Sequence, residues 1–297
     1  MKYLFPYPLR QKILPLILAL LLLPGCSAIR LGYGQADSLA AWTADEYFDL
    51  DARQKQEFLA RFERLHEWHR YEQLPEYVSF LNATRTRLQG DLKREDVLWF
   101  VEGLKSRYRL IINRGAGDAA DILATLAPAQ LDALQRQWDK DNRKFIREFQ
   151  LEGSVEDKKE ARANRTLKQI RDWVGSLTYT QEQKFTAMLD SLPLIDSLRL
   201  EDRLRRQREF LRLLELRGNK NEFASKLRRW LLDWEQGRSP EYDRLLARWW
   251  EKRVAFFVEV YRLLTPAQRA IALHRLQNYI EDFQSLSERS GRVAVTQ

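Results

Sequence analysis

The sequence predicts an all-α protein, a multi-helix bundle of about twelve amphipathic helices with antiparallel neighbours and no sheet. Apolar side chains recur at the 3.6-residue period of a helix along nearly all of the 297 residues. The chain contains 12 glycines and 9 prolines, too few for the many tight turns of an all-β fold. The segments between the periodic stretches are short, so consecutive helices should pack side by side.

Each expected helix is justified by its apolar stripe and by the signals at its ends. Phe58, Phe62 and Leu65, for example, share one helical face. Ser239 and Pro240 supply an N-cap and a proline at the first helical position, so we interpret the strand-like run that follows as buried helix. With boundaries good to about 2–4 residues, the expected helices are 36–48, 52–73, 76–89, 93–113, 118–125, 128–151, 155–175, 179–191, 196–217, 220–236, 240–263 and 266–287.

One five-residue pattern, Leu-[Thr/Asp]-x-x-Gln, occurs four times, starting at Leu50, Leu126, Leu177 and Leu264. The Thr or Asp side chain can accept a hydrogen bond from the first turn of a helix while the glutamine reaches back to the cap. The second copy is degenerate because Ala127 has no side-chain oxygen. We interpret the pattern as four capped helix starts, and its long-short-long spacing suits two similar halves.

The N-terminus has the layout of a secretory signal peptide. Basic residues precede an apolar run at 13–23 that is too short for a stable transmembrane helix, and Cys26 follows. This order resembles the lipobox of bacterial lipoproteins, which implies that residues 1–25 are cleaved and Cys26 is acylated. By the same resemblance, Ser27 implies sorting to the outer membrane, facing the periplasm. The alternative is an incidental cysteine behind an ordinary signal peptide, which Pro24 leaves open.

The expected domain organisation follows from these features. Residues 26–36 would form a lipidated tether, and residues 37–288 would form a helical domain. Within that domain the charged stretch 152–165 is the expected hinge, and 289–297 is expected to be a flexible tail. Cleavage removes three positive charges from the formal net charge of +8 and leaves +5. Since Cys26 is the only cysteine, stability must come from packing and not from disulfides.

The positive charge is concentrated at residues 199–229, which contain eleven Arg or Lys and five Asp or Glu. Helical spacing places six of these arginines in two stripes: Arg205, Arg208 and Arg212, and Arg199, Arg203 and Arg206. One interpretation is a salt-bridged helix surface. The other is a surface that binds the phosphates of lipopolysaccharide, anionic lipids or acidic proteins. Export to the envelope argues against nucleic acid as a partner.

Tryptophans suggest a further contact surface. Trp249 and Trp250 are adjacent and cannot both face one core stripe, so one of them is a candidate anchor for a partner or a membrane surface. Trp230 and Trp234, four residues apart, are expected in the core. The expected partners are therefore the membrane, through the lipid on Cys26, and an envelope protein or an anionic lipid or glycan.

The chain contains no recognisable catalytic motif, and we predict no catalytic residue, no metal and no cofactor. Glu63, His66 and His69 are spaced along one helix, but a di-metal bundle needs a second Glu-x-x-His helix, which the sequence lacks. His69 also shares a face with apolar residues, which favours a hydrogen-bonded core histidine. An envelope enzyme acting on peptidoglycan or lipid stays the alternative, because Asp and Glu are plentiful enough to supply paired carboxylates.

A set of short segments follows the order found in one known family. The most distinctive is Trp68-His69-Arg70 followed by Leu74-Pro75. The others include Tyr33-Gly34-Gln35-Ala36-Asp37, Tyr47-Phe48-Asp49-Leu50, Asn142-Arg143-Lys144-Phe145 and Trp173-Val174-Gly175. Together with the lipobox they resemble a proteobacterial lipoprotein family catalogued as domain of unknown function 6279. The resemblance covers nearly the whole mature chain and implies a helical fold and an envelope location. It gives Trp68, His69 and Arg70 no role.

The Leu-Thr-x-x-Gln copies are also similar to a motif of Spy/CpxP-type periplasmic proteins, helical cradles that bind unfolded clients without ATP. That local resemblance implies a chaperone-like activity. Taken together, the sequence predicts a lipid-anchored cell-envelope protein with a non-enzymatic binding, scaffold or chaperone-like role, and the alternative is the envelope enzyme.

Overall fold

The computed structural model describes residues 28–288, and every regular element in this range is helical, which confirms the all-α prediction. The predicted signal peptide, Cys26 and the predicted tail 289–297 lie outside the described residues. The elements are α1 (Ala28–Gly34), α2 (Ala36–Phe48), α3 (Ala52–Trp68), a π turn (His69–Gln73), α4 (Leu74–Gln89), α5 (Arg94–Leu123), α6 (Pro128–Glu148), α7 (Val155–Val174), α8 (Tyr179–Asp190), α9 (Asp196–Glu215), a 3₁₀ turn (Leu216–Gly218), α10 (Lys220–Leu232), α11 (Pro240–Leu263) and α12 (Pro266–Ser287). None of these helices has the length and apolar composition needed to cross a bilayer.

The two helices expected on either side of Pro75 are one continuous rod, so that expected boundary was wrong. The π turn joins α3 to α4, and the Leu74 N–H donates to the His69 carbonyl five residues earlier. Pro75 has no N–H to donate, and its ring would crowd the carbonyl four residues before it in a regular helix. The wider π turn accommodates the ring, so the helix continues through the proline.

The break expected near residues 113–118 is also absent, because α5 runs without interruption from Arg94 to Leu123. A Cβ atom on Gly115 would lie 3.3 Å from Leu65 Cδ2, so this glycine allows α3 to approach α5 closely. Ala116 and Ala120 on the same helix are buried. The small residues of α5 therefore serve helix packing, although the same residues in a sequence equally suggest a turn.

Four glutamines fix the starts of α3, α6, α8 and α12. Each Oε1 accepts a hydrogen bond of 2.8–3.0 Å from the backbone N–H three residues earlier, in the order Gln54, Gln130, Gln181 and Gln268. The side-chain oxygens of Asp51, Thr178 and Thr265 in turn accept a hydrogen bond from the backbone N–H of the glutamine. Ala127 cannot do so, and the second copy is held by its glutamine alone. The capping interpretation of the motif is thus confirmed.

The same glutamines also pair across the fold. Gln54 and Gln130 exchange amide hydrogen bonds of 3.2 and 2.7 Å, and Gln181 and Gln268 exchange bonds of 2.8 and 3.0 Å. Each Nε2 also donates to the carbonyl just before the partner motif's leucine: Thr125, Asp49, Leu263 and Ser176. All four side chains are buried. Residues 28–288 therefore contain two equivalent glutamine pairs.

Each glutamine pair lies beside an apolar core. The first core contains Leu50 and Leu126 and is completed by residues of α9 and α10, among them Phe210 and Phe223. The second contains Leu264 together with residues of α7, α8 and α11. Helices far apart in sequence pack together, because α12 packs along α4 and α10 packs along α5. The hinge at 152–165 stays a prediction; much of that stretch lies in α7.

The segment expected as a tether includes α1, which packs against α12. Arg30 Nε lies 2.8 Å from Asp282 Oδ1, and Asp282 is only 3% exposed. The Tyr33 hydroxyl lies 2.8 Å from His69 Nδ1, and the Tyr33 ring is centred 4.5 Å from that of His66. These contacts make α1 part of the folded body.

Candidate functional site

The basic stretch lies on α9 and α10, where two adjoining clefts of about 350 and 430 Å³ open. Arg206 of α9 and Trp230 of α10 line both clefts and form the wall between them. We call the first cleft the basic chamber; it is further lined by Glu209, Arg212, Leu213, Lys226, Arg229 and Asp233. We call the second the aromatic chamber; it is further lined by Trp138, Phe145, Arg203, Gln207, Phe210 and Tyr242.

The aromatic chamber is built from rings that come from four helices. Trp138 and Phe145 lie on α6, Phe210 on α9, Trp230 on α10 and Tyr242 near the start of α11. The ring centroids of Trp138 and Phe210 are 5.8 Å apart, and those of Phe210 and Trp230 are 5.2 Å apart. Phe210 and Tyr242 are buried, so the partly exposed rings of Trp138, Phe145 and Trp230 form the apolar border of the cleft.

Arg206 is the central cation of the site. Its guanidinium lies 4.1 Å from the Trp230 ring centroid, and its Nη2 donates to the Trp230 carbonyl at 3.1 Å. No carboxylate within the described residues lies at ion-pair distance from it. Burial lowers the pKa of Arg206, and repulsion from Arg205 lowers it further. The stacked, poorly compensated guanidinium is an attachment point for an anion.

The basic chamber adds cations along its rim. Arg212 and Arg229 are exposed and make no ion pair with any described residue, whereas Lys226 contacts Glu222 at 2.7 Å. Six Arg or Lys and three Asp or Glu line the two chambers together, an excess of three positive charges. Concave surfaces with one dominant sign of charge attract counter-ions, so the site favours an anionic ligand.

Two buried donors at the site have no partner among the described residues. They are Trp230 Nε1 and Arg203 Nε. Arg203 is only loosely compensated, since its Nη2 lies 3.9 Å from Asp141 Oδ2. Buried donors are nearly always hydrogen-bonded, so unpaired donors beside a cleft mark a place where a ligand or water completes the site.

The predicted binding stripe of Arg205, Arg208 and Arg212 lies only partly at the site. Arg205 contacts Asp202 at 2.7 Å and Glu209 at 2.6 Å and donates to the Gln236 carbonyl at 2.9 Å. It therefore ties α9 to the turn before α11 and is engaged within the fold. Arg208 is exposed and lines neither chamber, while Arg212 lines the basic chamber. The second stripe, with Arg203 and Arg206, forms the site instead.

The predicted tryptophan surface is separate from the chambers. Trp250 is 39% exposed, and Trp249 packs edge-on against it with ring centroids 5.3 Å apart. The Arg253 guanidinium lies 5.8 Å from the Trp249 ring centroid. Sequence reasoning also missed Trp138 and Tyr242 as site residues, because nothing in a sequence shows that rings on separate helices converge.

Of the motif residues, His69 contacts the N-terminal helix, Arg70 contacts the C-terminal helix and Trp68 faces α5. His69 contacts Tyr33 of α1, and Arg70 Nε donates to the Leu286 carbonyl of α12 at 2.6 Å. The Arg114 guanidinium lies 5.9 Å from the Trp68 ring centroid. Burial, and then the neighbouring His66, lower the pKa of His69 to about 4, so the imidazole is neutral at pH 7.

Metal ligation finds no support in residues 28–288, where no three His, Cys, Asp or Glu side chains are grouped to hold an ion. His66 and His69 lie side by side against Tyr33 instead of converging with Glu63. The hydrogen bond between Tyr33 and His69 is the kind expected of a core histidine.

Comparison with known proteins places these features in context. A family model described as a family of unknown function, DUF6279, matches residues 46–243, more than half of the chain. The matched range contains both chambers and three of the four paired glutamines. No curated protein and no solved structure matches the chain.

Proposed function

The chain belongs to the DUF6279 family of unknown function, and from that premise we propose a lipid-anchored, non-enzymatic binding module of the bacterial cell envelope. The observation that carries the proposal is the pair of chambers, which six Arg or Lys side chains and five aromatic side chains line together. Such a composition suits a ligand that combines negative charge with an apolar or planar surface. Arg206, stacked on Trp230, contacts both parts of that ligand.

The location is part of the proposal and rests on the N-terminal layout. A basic start, a short apolar run and Cys26 support cleavage and acylation, and two or more acyl chains anchor a protein stably. Inhibition of the lipoprotein signal peptidase should then leave a larger, uncleaved precursor on a gel. An unchanged band would contradict lipidation at Cys26.

Photo-crosslinking in living cells tests the binding role. A photoreactive residue replaces Leu213 in the basic chamber or Gln207 in the aromatic chamber, and Arg208 on the outer face of α9 is the matched control position. We expect a discrete adduct from Leu213 and Gln207 and none from Arg208. Mass spectrometry of the adduct should give a small anionic compound. The absence of an adduct at both chamber positions would contradict the proposal.

Two of the three acids of the site are committed to the fold. Asp202 and Glu209 are both engaged by Arg205, at 2.7 and 2.6 Å, so only Asp233 is left as a general acid or base, and it has no second free carboxylate beside it in the lining. The chambers are therefore proposed to hold a ligand and not to transform it. Release of muropeptides from purified peptidoglycan by the full chain would contradict this and restore the enzyme alternative.

A chaperone-like role is the second candidate, favoured by exposed apolar side chains near the second glutamine pair. Tyr179 is 76% exposed, Trp173 is 45% exposed and Ile271 is 40% exposed. A Cβ atom on Gly175 would lie 3.3 Å from Ile271 Cδ1, which places these residues around one turn. Crosslinking from Tyr179 should give a smear of many proteins if this surface binds unfolded clients. A clean lane would argue against that role.

A further inference from the structure

The two chambers offer different chemistry to the two ends of one ligand. The basic chamber contains Arg212 and Arg229, which have no ion-pair partner among the described residues. A guanidinium presents its donors in a planar fork that fits two oxygens of a phosphate. Leu213 in the same lining cannot bind a phosphate. The four cations of this chamber outnumber its two carboxylates, so the chamber favours an anionic group.

The aromatic chamber offers ring faces together with the amide of Gln207, whose orientation is fixed by the buried Asn142 outside the lining. Asn142 Nδ2 donates to Gln207 Oε1 at 3.0 Å, and Gln207 Nε2 donates back at 3.3 Å. Arg203 Nε is a buried donor without a partner. The negative π face of an aromatic ring attracts the C–H groups of a sugar ring, and amide and guanidinium groups bind its hydroxyls. This combination suits a saturated, hydroxyl-bearing ring better than an acyl chain.

The two chambers adjoin. Arg206 and Trp230 line both of them, so a ligand that spans this boundary would contact both clefts. Each volume, about 350 and 430 Å³, falls in the range of roughly 300–1,000 Å³ typical of small-molecule sites.

We infer that the ligand is a phosphorylated sugar, with its phosphate in the basic chamber and its ring against the aromatic chamber. The inference rests on the proposed function, since it names the ligand class of the same site. The sugar phosphate is either a free glycan or the head group of a glycolipid. Arg206 lies between the two parts and positions the bond that joins them.

Calorimetric titration of the full chain in neutral detergent tests the inference. The probes are N-acetylglucosamine 1-phosphate, N-acetylglucosamine, inorganic phosphate and a monophosphorylated glycolipid. We expect the sugar phosphate to bind about tenfold or more tightly than phosphate or sugar alone. Stronger binding of the glycolipid than of the free sugar phosphate would identify the head-group source, and equal binding would identify the free glycan.

Variants separate the two chambers. Arg229→Gln should weaken the binding of the sugar phosphate and of inorganic phosphate alike by about tenfold. Phe145→Leu should weaken the binding of the sugar phosphate and leave that of inorganic phosphate unchanged. Arg208→Gln is the matched control and should change nothing. Phe145 is half-buried, and leucine keeps it apolar, so circular dichroism should report an intact helical fold. If that variant unfolds, Phe145→Met removes the same ring with a more adaptable apolar side chain and provides the same test.

The outcomes distinguish this inference from the proposed function. If phosphate binds as tightly as the sugar phosphate and Phe145→Leu has no effect, the sugar is excluded while the anion site stands. If neither binds but phosphatidylglycerol micelles bind in an Arg229-dependent way, the inference is again overturned and the binding module survives. If no anionic probe binds, both are overturned.

Discussion

Arg205 and Arg206 are adjacent in sequence and have opposite surroundings in the fold. One residue along a helix is a rotation of about 100°, which turns Arg205 towards Asp202 and the Gln236 carbonyl and turns Arg206 onto the Trp230 ring. The sequence predicted a basic surface on this helix correctly. It could not show which arginine is committed, because Gln236 and Trp230 belong to other elements.

The paired glutamines give a stability prediction at single-residue scale. Gln268→Ala removes a helix cap and the buried hydrogen bonds to Gln181 and to the Ser176 carbonyl, while Gln181 keeps its bonds to the Thr178 N–H and the Leu263 carbonyl. We expect the free energy of unfolding to fall by about 2–4 kcal/mol. Urea denaturation of the full chain measures this change.

An exposed glutamine supplies the control for that measurement. Gln135→Ala on α6 should cost less than about 0.5 kcal/mol. The double substitution of Gln181 and Gln268 should cost less than the sum of the single changes, because each single change already removes the two hydrogen bonds that the glutamines share. Strict additivity would show that the pair is not coupled.

His69 predicts a dependence of stability on pH. Burial, with His66 beside it, holds the folded-state pKa of His69 near 4, below its ordinary value, and Tyr33, Tyr77 and Arg70 are its other polar neighbours. The unfolded chain therefore takes up the proton first. The contribution to stability is complete above about pH 6.5 and is lost as the pH falls towards 4.

The expected size of this loss is about 1–2 kcal/mol after allowance for the partial exposure of His69 to solvent. Urea midpoints between pH 7 and pH 4 should fall less steeply for His69→Gln than for the unmodified chain. His274→Gln, an exposed histidine on α12, is the matched control. Identical slopes for the unmodified chain and His69→Gln would show that this histidine does not titrate as described.

At the scale of elements, two helices are longer than predicted because of the contacts and geometry at Pro75 and Gly115. The expected helix ends at Pro75 and at Gly115 are interior positions in the fold, because a π turn absorbs the proline and α3 packs onto the glycine. Both are long-range or geometric effects that a local pattern does not encode. The caps at Asp51, Thr178 and Thr265 were predictable because a capping box lies within four consecutive residues.

The packing of α4 on α5 gives a prediction at this scale. A Cβ atom on Gly103 would overlap the Phe80 ring, which Trp99 and Phe100 hold in place with centroids 4.9 and 5.3 Å away. Gly103→Ala should therefore destabilise the protein by about 1–3 kcal/mol despite its better helix propensity.

Thermal and urea unfolding of the full chain measure that effect. Gly117→Ala on the same helix is the control, since nothing lies within 4 Å of its added Cβ. It should be neutral or stabilising by up to about 1 kcal/mol. Equal effects of the two substitutions would contradict the close α4–α5 contact.

At the scale of the whole molecule, two glutamine pairs join helix starts that are far apart in sequence, and α4 packs along α12. The motif spacing suggested two halves, but the pairing depends on contacts 76 and 87 residues apart in sequence. The chambers are likewise invisible locally, because Trp138, Trp230 and Tyr242 reach them from three helices. Fold class and basic charge were therefore predictable, and the site was not.

Native mass spectrometry of the full chain, extracted from membranes in neutral detergent, tests whether the two chambers bind an anionic ligand. We expect a non-protein anionic ligand on the unmodified chain and on Arg208→Gln, and we expect its loss from Arg206→Gln. Arg206 stacks on the wall shared by both chambers, so its loss should release the ligand whichever chamber holds more of it. A chain that carries no such ligand, or an Arg206→Gln variant that retains it, would contradict the claim that these chambers are the working site.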